Sequence, residues 1–236
     1  MRLKSALRRG VAAAVIAGIV VSSGIPAYAA RWDIANGDIT VKAGDAEGKN
    51  KVSQGETIDK DDTNTVITGE SDKNTVTIDT SEGNVDVTFD DLKIDVSGKK
   101  EGDGSDDSPV RESNAAVTVK GDHDAAIELD GDNELKSGAG HAGLEHNKTD
   151  TSGELTIQDK DKNGSLEAAG GFKGAGIGSA GSNDAQVKIT GGNITATSDD
   201  WGAGIGSGSY GTGTVEITGG EINATGGYLG AGIGGG

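Results

Sequence analysis

The chain has 236 residues, of which 42 are glycine, two are proline and none is cysteine, and aromatic residues make up only 3%. This composition excludes a disulfide scaffold and a zinc–thiolate site, and it argues against a core of large aromatic side chains. The formal net charge is −17, from 38 acidic and 21 basic residues. Because so acidic a chain repels the phosphate backbone, no nucleic-acid partner is expected.

The segment 1–29 has the three parts of a secretory signal peptide. A start with four basic residues and no acidic one is followed by an apolar run at 11–24 and by small residues before Ala29. The run is shorter than the ~20 residues that span a bilayer, so a membrane anchor is the less favoured alternative. We therefore expect cleavage after Ala29 and a mature chain that is secreted or lies at the cell surface, without a membrane span.

Two motifs recur in the second half of the chain with one shared period. Gly-Ala-Gly-Ile-Gly occurs at 174–178, 202–206 and 230–234, and the segment 187–197 returns with few changes at 215–225. Each unit contains three short stretches in which apolar residues alternate with polar residues or glycine. Alternation with glycine-rich breaks is typical of β-strands and excludes a helix here.

The repeat predicts an all-β protein in which coils of parallel strands, about 28 residues each, stack on one another. Equivalent apolar residues should then form files through a dry interior. One file is expected to contain Ile177, Ile205 and Ile233, and another Leu166, Ile194 and Ile222. At this period, the segment 31–236 corresponds to about seven coils.

Residues 30–130 lack the exact repeat but contain short alternating runs, for example at 76–78 and 117–119. We interpret them as irregular coils and a cap of the same solenoid, followed by the regular glycine-rich repeats at 131–236. A separate β-sandwich is the alternative for the first part. The polar segment 97–114 is interpreted as a solvated loop. The sequence stops in mid-unit at Gly236, which we expect of a chain truncated at its C-terminus.

The segments 189–206 and 217–234 resemble the repeat of a family of exported, glycine-rich bacterial surface proteins. This resemblance implies a right-handed parallel β-helix. Some members of the family are described as carbohydrate-binding or adhesin-like, and related β-helices bind calcium and acidic polysaccharide. The motif specifies architecture more than activity, and no binding residue transfers position by position.

The segment 159–164 has the D-x-D-x-N-G order of a calcium loop. Asp159, Asp161 and Asn163 can direct alternate oxygens to one centre. The bidentate glutamate expected at the twelfth position is replaced by Gly170, and Glu167, at the ninth, is the substitute. These four residues are the predicted metal ligands, and Ca²⁺ is the one cofactor that the sequence suggests. A plain acidic turn is the alternative.

One aromatic residue precedes each copy of the glycine-rich motif: Phe172, Trp201 and Tyr228. Exposed rings on successive coils would form a ladder that stacks on sugars, which predicts a polysaccharide or cell-surface glycan as partner. Packing at the corners of the coils explains the same rings equally well, and Tyr210 is a weaker member of the series. The outward positions of the motif are glycine, which suits either a flat ligand or a tight coil.

The sequence therefore favours an exported, non-catalytic β-solenoid that binds carbohydrate or acts as an adhesin-like surface module, assisted by calcium. A purely structural spacer is the first alternative, and a polysaccharide lyase or glycoside hydrolase is the second. Catalysis has little support because Arg111 lies in the predicted loop and the adjacent Asp199 and Asp200 would point to opposite faces of a strand. We assign no catalytic residue.

Overall fold

The computed structural model describes residues 30–46, 48–98 and 114–236. The predicted signal peptide and most of the predicted loop, including Arg111, lie outside the described residues. One short 3-10 helix, Ile34–Asn36, accompanies the strands. The strands are, in chain order, β1 (Arg31–Asp33), β2 (Ile39–Ala43), β3 (Asn50–Gln54), β4 (Thr57–Asp62), β5 (Thr65–Ser71), β6 (Val76–Asp79), β7 (Val85–Asp95), β8 (Val117–Lys120), β9 (Ala125–Lys136), β10 (Leu144–His146), β11 (Leu155–Gln158), β12 (Gly164–Gly170), β13 (Ile177–Gly178), β14 (Ala185–Ile189), β15 (Asn193–Ser198), β16 (Ile205–Gly206), β17 (Gly213–Ile217), β18 (Glu221–Thr225) and β19 (Ile233–Gly234).

The strands form two sheets in which neighbouring strands are distant in the sequence. The first sheet has the order β1-β5-β7-β9-β11-β14-β17, and β12, β15 and β18 continue from β9 along a further face. The second has the order β19-β16-β13-β10-β8-β6-β2-β3-β4. Every pair of these strands is parallel except β2 with β3 and β3 with β4. With one strand of the first series in each coil, the described chain makes seven coils.

Each of the last three coils has three short strands, as the repeat predicts. In the two coils before them, one long strand, β7 or β9, runs along both of the first two faces. The first half of β9 pairs with β11, and its second half pairs with β12. The irregular N-terminal coils therefore pass into the glycine-rich coils without a break in the sheets.

Files of apolar residues run through the interior, because alternate residues of each strand point inward and every coil repeats the pattern. The isoleucines of the Gly-Ala-Gly-Ile-Gly motif are paired in register, which confirms the predicted file. The second predicted file is also present, in register from β12 through β15 to β18. The first file continues toward the N-terminus through Leu144, Val117, Val76 and Ile39. Burying these side chains contributes about 25 cal/mol per Å² of apolar surface.

At the N-terminal end, β3 and β4 fold back as antiparallel strands beside β2. They cover the backbone edge that β2 would otherwise present to solvent. The outer strand, β4, exposes Asp59, Lys60 and Asp61. Charged side chains on an edge strand disfavour pairing with a further strand.

Candidate functional site

Three aromatic rings lie together on the turns that flank β13 and β16, and we call them the ring cluster: Phe172, Trp201 and Tyr210. The ring centroids of Phe172 and Trp201 are 6.5 Å apart with an interplanar angle of 46°. Tyr210 meets Trp201 nearly edge-on, at 5.9 Å and 79°. Phe172 is 39% exposed and Tyr210 74% exposed, so the cluster presents ring surface to solvent.

The predicted ladder and the ring cluster differ by one member. The period of the repeat places Tyr228 two coils beyond Phe172, with Asp200 at the equivalent position between them. Trp201 is one position out of this series and is the repeat equivalent of Lys173. In the described part of the chain Tyr228 contacts no other ring and is 84% exposed. The structure thus brings Phe172 and Trp201 together and adds Tyr210, which reaches Trp201 from the far side of β16.

Lys173 places a positive charge beside two rings of the cluster. Its Nζ lies 5.3 Å from the centroid of Phe172 and 5.6 Å from that of Trp201. Such cation–π contacts contribute about 0.5–1 kcal/mol at exposed sites. Lys173 and Tyr210 both have left-handed backbones, with φ of +70° and +63°. Non-glycine residues adopt this conformation only where the surrounding structure holds them in it.

Contacts between coils hold the turns that carry the rings. The carbonyl of Phe172 accepts from the N–H of Gly140 at 2.7 Å, and the carbonyl of Lys173 accepts from that of Ser209 at 2.9 Å. The glycine motif next to them is buried, and a Cβ on Gly174 would overlap the carbonyl of His141 in the preceding coil. The backbone of neighbouring coils therefore fills the space outside the motif, and the tight-coil interpretation of its glycines is confirmed.

An acidic cluster lies where β11 ends, beside the first half of β9, and it contains Glu128, Asp159 and Asp161. One carboxylate oxygen of each lies within 4.8 Å of the others, a spacing that could hold a metal ion. Of the predicted ligands, the structure brings together Asp159 and Asp161. Asn163 closes the turn, donating its backbone N–H to Asp159 at 3.1 Å and its side-chain amide to Asp130 at 2.9 Å.

Glu128 is the ligand candidate that the sequence did not indicate. It enters because Gln158, which immediately precedes the turn, pairs in register with Glu128 of the coil before. Glu128 also accepts from the backbone N–H of Lys160 at 2.6 Å. The remaining predicted ligand, Glu167, faces outward on β12, in register with Glu134 and Thr195.

The electrostatics of the acidic cluster disfavour its fully ionised form. Burial is the largest cause that raises the pKa of Asp161 above its usual value, followed by the charge of Asp159 and a hydrogen bond with it, and then by the charge of Glu128. A bound cation would offset this repulsion.

The residues considered for catalysis are not assembled into one site among the described residues. Asp199 and Asp200 lie in a bend after β15, and Arg111 is outside the described range. A separate buried carboxylate, Glu145, accepts from the backbone N–H of Ala142 at 3.2 Å and lies 2.7 Å from Nδ1 of His141. Its hydrogen bonds fix the turn before β10, which accounts for a charged group in that position.

His146 is an interior histidine and gives the fold a testable pH dependence. It is 2% exposed, and its Nδ1 lies 3.3 Å from the carbonyl of Gln186. Burial, and to a smaller degree the charge of Lys148, lowers the pKa of His146, although the Gln186 carbonyl opposes this.

The pKa of His146 is lower in the folded protein than in the unfolded chain, where it is about 6.5. Protonation of His146 therefore favours the unfolded chain, and the free energy of unfolding should fall as the pH drops below about 6.5. We expect the midpoint temperature of unfolding to be lower at about pH 5.5 than at about pH 7.5, and this difference to be smaller in His146→Gln. If acid lowered the midpoint temperature of His146→Gln as much as that of the wild-type protein, the pH dependence could not be assigned to His146.

Comparison with known families shows which repeat the last coils resemble. Two segments, 187–209 and 215–236, match the family model of the β-helix repeat, and they cover most of the last two coils. The fold is a parallel β-helix. The match describes the repeat and names no ligand, and no curated protein and no solved structure matches the chain. No helix among the described residues of the β-helix is long and apolar enough to cross a membrane.

Proposed function

We propose that this β-helix is an exported, non-catalytic, carbohydrate-binding or adhesin-like module of a bacterial surface, with a polysaccharide or cell-surface glycan as partner. The observation that carries the proposal is the ring cluster with Lys173 beside it. The apolar C–H face of a pyranose packs on an aromatic ring, and an ammonium group donates to sugar hydroxyls. Export rests on the sequence of residues 1–29 alone.

The rings are also well placed for binding because the elements that carry them are rigid. Their turns are hydrogen-bonded to neighbouring coils at 2.7 Å and 2.9 Å, through the carbonyls of Phe172 and Lys173. A site whose backbone is already ordered loses little conformational entropy when a ligand binds. This pre-organisation supports a binding role for the ring cluster.

Trp201→Ala tests the proposal, because Trp201 contacts both other rings of the cluster. We expect binding on a glycan array to weaken about tenfold or more, since an aromatic contact contributes about 0.5–1.5 kcal/mol beyond the area it buries. Tyr228→Ala is the matched control, an exposed ring one coil away, and should bind like the wild type. Absence of glycan binding by the wild-type protein, with and without calcium, would overturn the proposal.

A structural spacer is the second candidate, and one observation favours it. Lys173 already occupies the space beside Phe172 and Trp201. The contacts within the cluster could therefore serve only to stabilise the packing of two coils. In that case Trp201→Ala would lower the unfolding midpoint while the wild-type protein bound no glycan. Measuring both quantities on the same variants separates the two functions.

We also propose that calcium binds the acidic cluster and assists the module. Calcium should raise the unfolding midpoint of the wild-type protein, and this shift should vanish in the double variant Asp159→Asn, Asp161→Asn. The unfolding midpoint of the double variant without calcium serves as its own baseline, because Asp159→Asn removes an acceptor of the Gly164 backbone N–H while the pair of substitutions relieves the like-charge repulsion around Asp161.

The control for calcium is Glu82→Gln, which removes one exposed carboxylate outside the cluster. This variant should keep the full calcium shift. A shift of wild-type size in the double variant would show that calcium acts elsewhere on this acidic protein, and the proposed site would be wrong.

A further inference from the structure

We infer that the ring cluster takes a single glycan chain or a chain end, and does not lie against the flat face of a crystalline polysaccharide. The inference rests on the proposed function and concerns the form of the ligand. It follows from the angles between the rings, 46° for Phe172 and Trp201 and 79° for Trp201 and Tyr210.

A flat surface contacts several rings face-on only when their planes are nearly parallel and level. Here the plane of Tyr210 stands almost perpendicular to that of Trp201, so a sheet of chains resting on the face of one ring meets the edge of the other. The two rings form a corner. A ligand must be narrow to contact both walls of a corner, and a single pyranose strand is narrow enough.

Lys173 supports the same conclusion. Its Nζ lies 5.3 Å and 5.6 Å from the centroids of Phe172 and Trp201. A flat surface laid across these two rings would have to displace the ammonium group from both of them. A single chain that contacts Trp201 and Tyr210 can leave the ammonium group over Phe172 and accept a hydrogen bond from it.

The backbone of Tyr210 is held in place although its ring is exposed. Its backbone N–H donates to the carbonyl of Gly236 at 3.1 Å, and its left-handed φ of +63° directs the chain through a tight turn. The phenol ring is 74% exposed, so one wall of the corner is open to a ligand while its backbone is held. Tyr210 is therefore the residue that distinguishes a corner from a platform.

The test compares single chains with crystals. The probes are an array of immobilised oligosaccharides, each a single chain, and suspensions of microcrystalline cellulose and crystalline chitin. The variant is Tyr210→Asn, which removes the ring and keeps a residue that tolerates the left-handed backbone. Its unfolding midpoint is measured alongside, and Tyr228→Ala is the matched control.

We expect the wild-type protein to bind single chains, Tyr210→Asn to bind them about tenfold more weakly, and Tyr228→Ala to bind them normally. Binding to crystals with no binding to the array would overturn the inference and leave the proposed function standing. Single-chain binding that Tyr210→Asn does not change would also overturn it. Binding to neither kind of probe would overturn the proposed function and the inference together.

Discussion

Replacing Ile205 with alanine is expected to lower the free energy of unfolding by about 2–5 kcal/mol. Ile205 is fully buried and pairs in register with Ile177 on one side and Ile233 on the other. Alanine would leave a cavity in the middle of the file, and neighbouring coils that are hydrogen-bonded along their strands cannot collapse into it. Urea unfolding followed by circular dichroism measures the change.

The β-helix supplies a matched control for this substitution one coil further on. Ile233 occupies the equivalent position of the repeat but is 48% exposed, so Ile233→Ala should cost no more than about 1–2 kcal/mol. The two variants delete the same atoms from the same motif and differ in burial. Equal losses in both would mean that the file is not a continuous packed core, and the stacked-coil account of stability would be wrong.

The interior files could be predicted from the sequence because two unrelated motifs share one period. When a segment such as 187–197 and the Gly-Ala-Gly-Ile-Gly motif both return at the same interval, stacking in register is the arrangement that buries their apolar positions together. Sequence alternation also located strands in the irregular coils, for instance β6 and β8. It could not give the antiparallel direction of β3 and β4, because alternation is the same for both directions of pairing.

The composition of the acidic cluster was harder to predict because its residues come from coils where the period changes. Leu144 pairs with Ile177, and Gln158 pairs with Glu128, and both intervals are longer than that of the regular repeat and differ from each other. No fixed spacing therefore places Glu128 beside the turn that contains Asp159. Insertions in single coils produce these offsets, and only the pairing of strands shows which side chains they bring together.

The ring cluster illustrates the same limit within the regular repeat. A ladder of equivalent positions would have joined Phe172 to Tyr228, yet Trp201 lies one position out of that series. Trp201 contacts Tyr210, which lies on the other side of β16. Contact across a short strand depends on how two turns fold toward each other, and spacing along the chain carries no information about this.

The second large effect is expected from Gly178→Ala, which should lower the free energy of unfolding by about 3 kcal/mol or more. Gly178 has a φ of +134°, a conformation that residues with a Cβ rarely adopt, and its Cβ would overlap the carbonyl oxygen of Gly206 in the next coil. That oxygen accepts the N–H of Ser179 at 3.1 Å. The methyl group would therefore force apart two coils at a backbone hydrogen bond.

Gly48→Ala separates backbone strain from the clash between coils. Gly48 also has a positive φ, +72°, but a Cβ there meets nothing within 4 Å, so the substitution should cost only the strain of about 1–2 kcal/mol. The difference between the two variants measures how closely successive coils approach. If Gly178→Ala lowered the free energy of unfolding no more than Gly48→Ala does, there would be space for a side chain next to β13. The interpretation of the glycine motif as a site for a flat ligand would then stand again.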